Sequence, residues 1–206
     1  MRGQNKFIRA LIATVVVIVT LYLGVVSSRI VKPILNSYGI EKNWAWPTLC
    51  ILVGVAFSVF VTKRKLSSLK NICLNTLLGF VCGLLLQLLF YLAKQRNWFS
   101  FGGITFVPFA FQVYVSWAEE FLFRDRLQAY LQEKMALSVA VVIVSFPFAL
   151  IHGLNPVLFN NSPFDYSWFV GTFIVSSTAG FLYGRRESFP AAFGVHIGYN
   201  IIATFF

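Results

Sequence analysis

Glu119-Glu120-Phe121-Leu122-Phe123-Arg124 follows an apolar run, Ile104 to Ala118, that reads as a membrane helix. Two adjacent carboxylates at that depth are expensive. A single charge near the bilayer centre costs roughly 2.5–3.5 kcal/mol even on the lenient insertion scale. Such groups face a bundle interior or a wet cavity. On a helix, Arg124 lies four residues beyond Glu120 and shares its face, so the two can pair. The other carboxylate, Glu119, is then left freer for chemistry. The plain alternative is a buried ion pair that only fixes helix packing.

The rest of the chain agrees with a membrane setting. Of 206 residues, 58% are hydrophobic and 12% charged, and mean hydropathy is +0.74. Soluble domains carry about 25% charged residues. Apolar runs recur from Ala10 to the last residue, leaving no room for a separate soluble domain. The net charge of +10 is explained by basic residues in short cytoplasmic loops, and no nucleic-acid partner is expected. Cys50, Cys73 and Cys82 are odd in number and lack CxxC spacing, which supports neither a disulfide framework nor a zinc motif.

The pattern predicts an all-α polytopic bundle of about seven spans. They are Ala10 to Val26, Trp46 to Thr62, Leu74 to Ala93, Ile104 onward through the glutamates, Leu137 to Phe159, Tyr166 to Tyr183 and Phe189 to Phe206. Asp125 to Lys134 reads as an amphipathic continuation of the fourth span that emerges at the surface. Asn155 to Ser167 reads as an outer loop that could gate access, or as an ordinary connector. With the N-terminus inside, 12 basic residues lie on the inner side and 5 on the outer, which favours that orientation. Residues 1–103 then hold three spans and residues 104–206 a four-span core.

Four further residues stand out in that core: Phe148, one turn before His152, and His196 and Asn200, four apart on one helix face. At a rise of about 1.5 Å per residue, His152 lies roughly 22 Å into its span and Glu119 roughly 21 Å from the inner end of its helix. His196 and Asn200 lie roughly 10 and 16 Å in. Each has a bland reading as a packing or hydrogen-bonding residue. Gly180/Gly184 and Gly194/Gly198 are small-xxx-small pairs that permit close helix contact. Together the polar groups allow specific chemistry. A glutamate and a histidine on facing helices can hold a water, with Glu119 taking its proton. A second histidine and an asparagine can donate to a developing oxyanion. The same side chains could instead bind divalent zinc, although no HExxH spacing is present.

Glu119-Glu120-x-x-x-Arg124, Phe148-x-x-x-His152 and His196-x-x-x-Asn200, in that order on membrane helices, resemble the CPBP family. That family includes the CAAX-prenyl endoprotease Rce1 and the bacterial Abi proteins. The resemblance covers roughly residues 104–206. It implies an intramembrane glutamic endopeptidase without a cofactor. Glu119 would be the general base and His152 would help hold the water. His196 and Asn200 would form the oxyanion site, with Glu120 and Arg124 orienting the first carboxylate and Phe148 in support.

The expected partners are the lipid bilayer and a peptide or membrane-anchored protein substrate. The expected location is a cell membrane, and the small size and short loops point to a bacterial one. Three other readings compete: a metal-dependent form of the protease, a non-catalytic immunity or scaffold protein, and a transporter with a carboxylate proton relay. The last is weakest, since no inverted repeat or paired broken helices are visible.

Overall fold

The computed structural model describes residues 45–57, 69–93, 106–160 and 162–205, with Ile8, Ile12, Val15, Val16 and Val19 as single helical residues. Among these residues every element is helical. The helices are α1 (Ala45–Phe57), α2 (Leu69–Ala93), α3 (Phe106–Glu120), a π-helical segment (Phe121–Gln128), α4 (Ala129–Gln132), α5 (Leu137–Asn160), α6 (Tyr166–Arg186) and α7 (Phe189–Phe205). They coincide with six of the expected spans. The remaining one, Ala10 to Val26, lies largely outside the described residues.

α2 is apolar on the wrong side for water. Leu74, Leu77, Val81, Leu85, Leu89 and Leu92 face outward, about half exposed. Its inward face carries Asn75, Gly79, Gly83 and Gln87, each four residues from the last. A helix that hides its polar groups and exposes leucine belongs in lipid. α5 behaves likewise, with Val139, Val142 and Phe146 outward. The segments Lys70–Phe90 and Leu137–Val157 are each long and apolar enough to cross a bilayer. The chain is a membrane protein.

Two close contacts lock the bundle, and both depend on small residues. Gly79 and Gly83 of α2 pack backbone to backbone against α7, where a Cβ would strike the Ala191 and Val195 carbonyls. Gly194 and Gly198 of α7 return the contact, where a Cβ would strike the Thr76 and Phe80 carbonyls. Such glycine pairs gain dispersion contact where lipid offers no hydrophobic drive. The partner rises along the chain on both helices, so α2 and α7 run parallel.

In the second contact the π-helical segment lies along α6. Arg124 Nη2–H donates to Ser176 Oγ, and Gln128 Nε2–H donates to the Gly180 carbonyl at 2.7 Å. Both pairs are separated by 52 positions. A Cβ on Gly184 would press on Gln132, the next step of the same register. These elements are therefore also parallel.

Two expectations are corrected. Asp125 to Lys134 does not emerge at the surface as a whole, because Leu127, Gln128, Ala129, Tyr130 and Leu131 are buried. The polar residues that suggested a surface helix find internal partners: Gln128 on α6, and Asp125 Oδ1 accepting from Tyr183 at 3.4 Å. Glu133 and Lys134 are exposed, and Asp125, Arg126 and Gln132 are part-buried. Asn155 to Asn160 is the last part of α5 rather than loop, with Pro147 and Pro156 accommodated inside the helix.

Candidate active site

Glu119 and Glu120 end α3, one residue before the backbone widens into its π turns. At the far end of that segment the Ala129 N–H reaches the Arg124 carbonyl, five residues back. Both carboxylates are almost wholly removed from water, at 3% and 2% exposure. Each must therefore meet donors inside the protein.

Glu120 is tied on two sides. Arg124 Nε–H donates to its Oε2 at 3.1 Å, the i,i+4 pair expected from spacing. His196 Nδ1 lies 2.9 Å from its Oε1. Arg124 is fully buried, and its other nitrogens reach Ser176 and, at 3.5 Å, Ser145. Its guanidinium also sits 5.9 Å from the Phe148 ring centre. A guanidinium at such a position survives only with its donors satisfied.

Glu119 is held differently. Trp46 Nε1–H of α1 donates to its Oε1 at 2.5 Å, and His196 Nε2 lies 3.4 Å from its Oε2. His196 thus stands between the two carboxylates with one ring nitrogen toward each. One imidazole and one guanidinium offset the repulsion that two adjacent carboxylates would otherwise feel.

His152 comes from α5. Its Nδ1 is 2.8 Å from the Phe148 carbonyl, which can only accept, so Nδ1 carries a proton. In the neutral ring Nε2 then keeps its lone pair. Phe148 packs at 4.6 Å on the His152 ring, 6.0 Å from His196 and 4.9 Å from Phe123. It is the wedge among the three motifs. Gly153 lets the chain after α5 fold back, for a Cβ there would strike Phe164, and Asp165 N–H reaches the Gly153 carbonyl. Asp165 caps α6 by accepting from Trp168 N–H at 2.8 Å. That places the Trp168 ring 6.2 Å from His152.

Asn200 lies one turn beyond His196 on α7, and its Nδ2–H donates to Ser116 Oγ of α3 at 3.2 Å. Glu119, Glu120, Phe148, His152, His196 and Asn200 all line one cavity of about 490 Å³. Arg124 stands behind its wall. The structure therefore brings together every site residue expected from the sequence.

Sequence reasoning missed Trp46 and Gln87. Gln87 also lines the cavity, is 7% exposed, and its Oε1 has no partner among the described residues. The inward spacing Asn75, Gly79, Gly83, Gln87 is the signal that could have found it. Trp46 stands in the sequence only as the first residue of the second expected span. Among the described residues, no three His, Cys, Asp or Glu side chains converge as a metal-ligand set.

Residues 101–202 match the family model described as type II CAAX prenyl endopeptidase Rce1-like. The match spans all three motifs. No curated protein and no solved structure matches the chain.

Proposed function

Because the chain belongs to the Rce1-like family of type II CAAX prenyl endopeptidases, proteases that hydrolyse peptide bonds, we propose that it cleaves its substrate by a glutamate-activated water. The observation that carries this reading is the meeting of Glu119, His152, His196 and Asn200 on one cavity inside a bundle of apolar helices.

A water in the cavity is held between the Glu119 carboxylate and the Nε2 lone pair of His152. Glu119 takes one of its protons as the oxygen attacks the scissile carbonyl carbon. The carbonyl oxygen becomes an oxyanion and accepts from an Asn200 side-chain N–H and from His196 Nε2–H, which turns to it once Glu119 is protonated and no longer competes as an acceptor. Collapse of the tetrahedral intermediate breaks the C–N bond. The leaving amine takes the proton from Glu119, which returns to its starting state. Glu120, Arg124 and Ser176 keep the first carboxylate and His196 in place. Gln87 Oε1 offers an acceptor to a backbone N–H of the substrate.

The mechanism has no metal in it. His196 already directs both ring nitrogens at carboxylates, and His152 commits Nδ1 to a backbone carbonyl. The substrate is a peptide or a membrane-anchored protein. The site is in a multi-pass cell-membrane protein of bacterial type, with seven spans and the N-terminus inside.

Purified protein in liposomes, incubated with a peptide library and read by mass spectrometry, tests the proposal. Glu119→Gln is nearly isosteric and removes the base. It should lower turnover by about 10²–10⁴-fold at unchanged membrane levels. Wild-type turnover by that variant would defeat Glu119 as the base, and no cleavage by the wild type itself would leave a non-catalytic immunity or scaffold role.

A further inference from the structure

Trp46 lies outside the family-matched residues, yet its Nε1–H is the short contact to Glu119, 2.5 Å from Oε1. It reaches that oxygen because α1 is docked on α3 and the π segment at two other points. Thr48 Oγ1 and the Tyr114 hydroxyl are 2.9 Å apart, and Gly54 leaves room for the Phe121 ring. The Trp46 side chain itself is part-buried against the apolar cluster that α1 shares with α3, the π segment and α5. The donor is thus fixed from both ends.

We propose that Trp46 is the positioning residue that selects which oxygen of Glu119 acts as the base. This rests on the reading of Glu119 as base and goes beyond it. An indole N–H only donates and stays protonated throughout the reaction. It therefore occupies Oε1 whether Glu119 is a carboxylate or an acid. The proton removed from water must then go to Oε2, the oxygen nearer His196 Nε2. It leaves from the same oxygen to the departing amine. A donor that prefers the carboxylate also holds the side chain in one rotamer as the cavity fills.

Trp46→Phe keeps most of the ring and deletes the N–H. It is expected to lower kcat about 10- to 100-fold with KM within about twofold. The second readout is the ¹⁵N-indole spectrum, which holds five tryptophan signals, with the Trp46 signal identified by its loss in Trp46→Phe. In Glu119→Gln the neutral amide replaces the anion, and the Trp46 Nε1–H signal should move upfield more than the other four. A Trp46 signal unmoved by Glu119→Gln overturns the proposal, as does a Trp46→Phe protein with wild-type kcat. If Trp46→Phe does not fold, the spectrum still decides, with the signal assigned by a selectively labelled second tryptophan variant set. Should Glu119→Gln keep full turnover, the base assignment fails, while the spectrum reports separately on the indole–carboxylate bond.

Discussion

Glu120 and His196 lie 76 positions apart in the chain and 2.9 Å apart in the fold. That contact joins the end of α3 to the middle of α7. Because Glu120 also takes the Arg124 Nε–H, it is the acceptor for two buried groups at once. Glu119 instead meets Trp46 and the farther nitrogen of His196. The two neighbouring carboxylates therefore have different duties.

The first prediction separates them by stability. Glu120→Gln leaves the fully buried Arg124 without its anion, and breaking a buried pair in this way costs about 3–5 kcal/mol. Glu119→Gln leaves no cation stranded in the same manner. Thermal unfolding in one detergent should show Glu120→Gln with a clearly lower Tm and Glu119→Gln close to wild type. Equal Tm values for the two would contradict the division.

The second concerns the glycine contact that sets α7. A leucine at Gly194 must push its Cβ into the Thr76 carbonyl and the Phe80 backbone. The neighbour is backbone and cannot rotate away. Overpacking of this kind costs about 1–3 kcal/mol. It also displaces His196 and Asn200, two and six residues along the same helix. Gly194→Leu should therefore lose both Tm and turnover, while Val139→Leu on the lipid-facing side of α5 should change neither. Wild-type turnover by Gly194→Leu would show that α7 can shift without disturbing the site.

The sequence made the motifs legible because each breaks a local rule. Charges inside apolar runs are costly, so Glu119, Glu120 and Arg124 announced an internal partner before any fold was known. Spacing also sufficed for the Glu120–Arg124 pair and for the glycines of α6 and α7. What was not legible is tertiary. Trp46 meets Glu119 from 73 positions away, and a tryptophan near a helix start reads equally well as an interface anchor. The π turns from Phe121 to Gln128 carry no period that a hydropathy pattern would show. Gln128 looked like a surface residue because composition alone does not reveal that α6 runs beside it with the Gly180 carbonyl to accept.

The third prediction concerns metal. If water is activated by Glu119 and His152 alone, a strong chelator should leave turnover of the liposome-reconstituted protein within about twofold. Added zinc should not raise it. The expectation follows from His196, whose two nitrogens are both engaged by carboxylates. Loss of activity with chelator and its return with zinc would favour a metal-dependent protease, which needs three protein ligands at a catalytic zinc.

The fourth tests the orientation of the spans. α2 runs parallel to α7, and the π segment runs parallel to α6, as the glycine contacts and the constant offset of 52 positions indicate. Helices that cross a membrane in turn, with odd spans parallel to odd and even to even, give this pattern. Seven spans with the N-terminus inside would then put the turn before α6 outside and the turn before α7 inside. Cysteine placed at Ser162 or at Arg186, both exposed, in a chain whose own Cys50, Cys73 and Cys82 are replaced, distinguishes the sides. An impermeant maleimide should label Ser162→Cys in intact cells and Arg186→Cys only after the membrane is opened. The opposite pattern would invert the topology and the charge argument with it, since Arg185 and Arg186 would then stand on the outer face. Labelling of both positions in intact cells would mean that α6 does not cross at all.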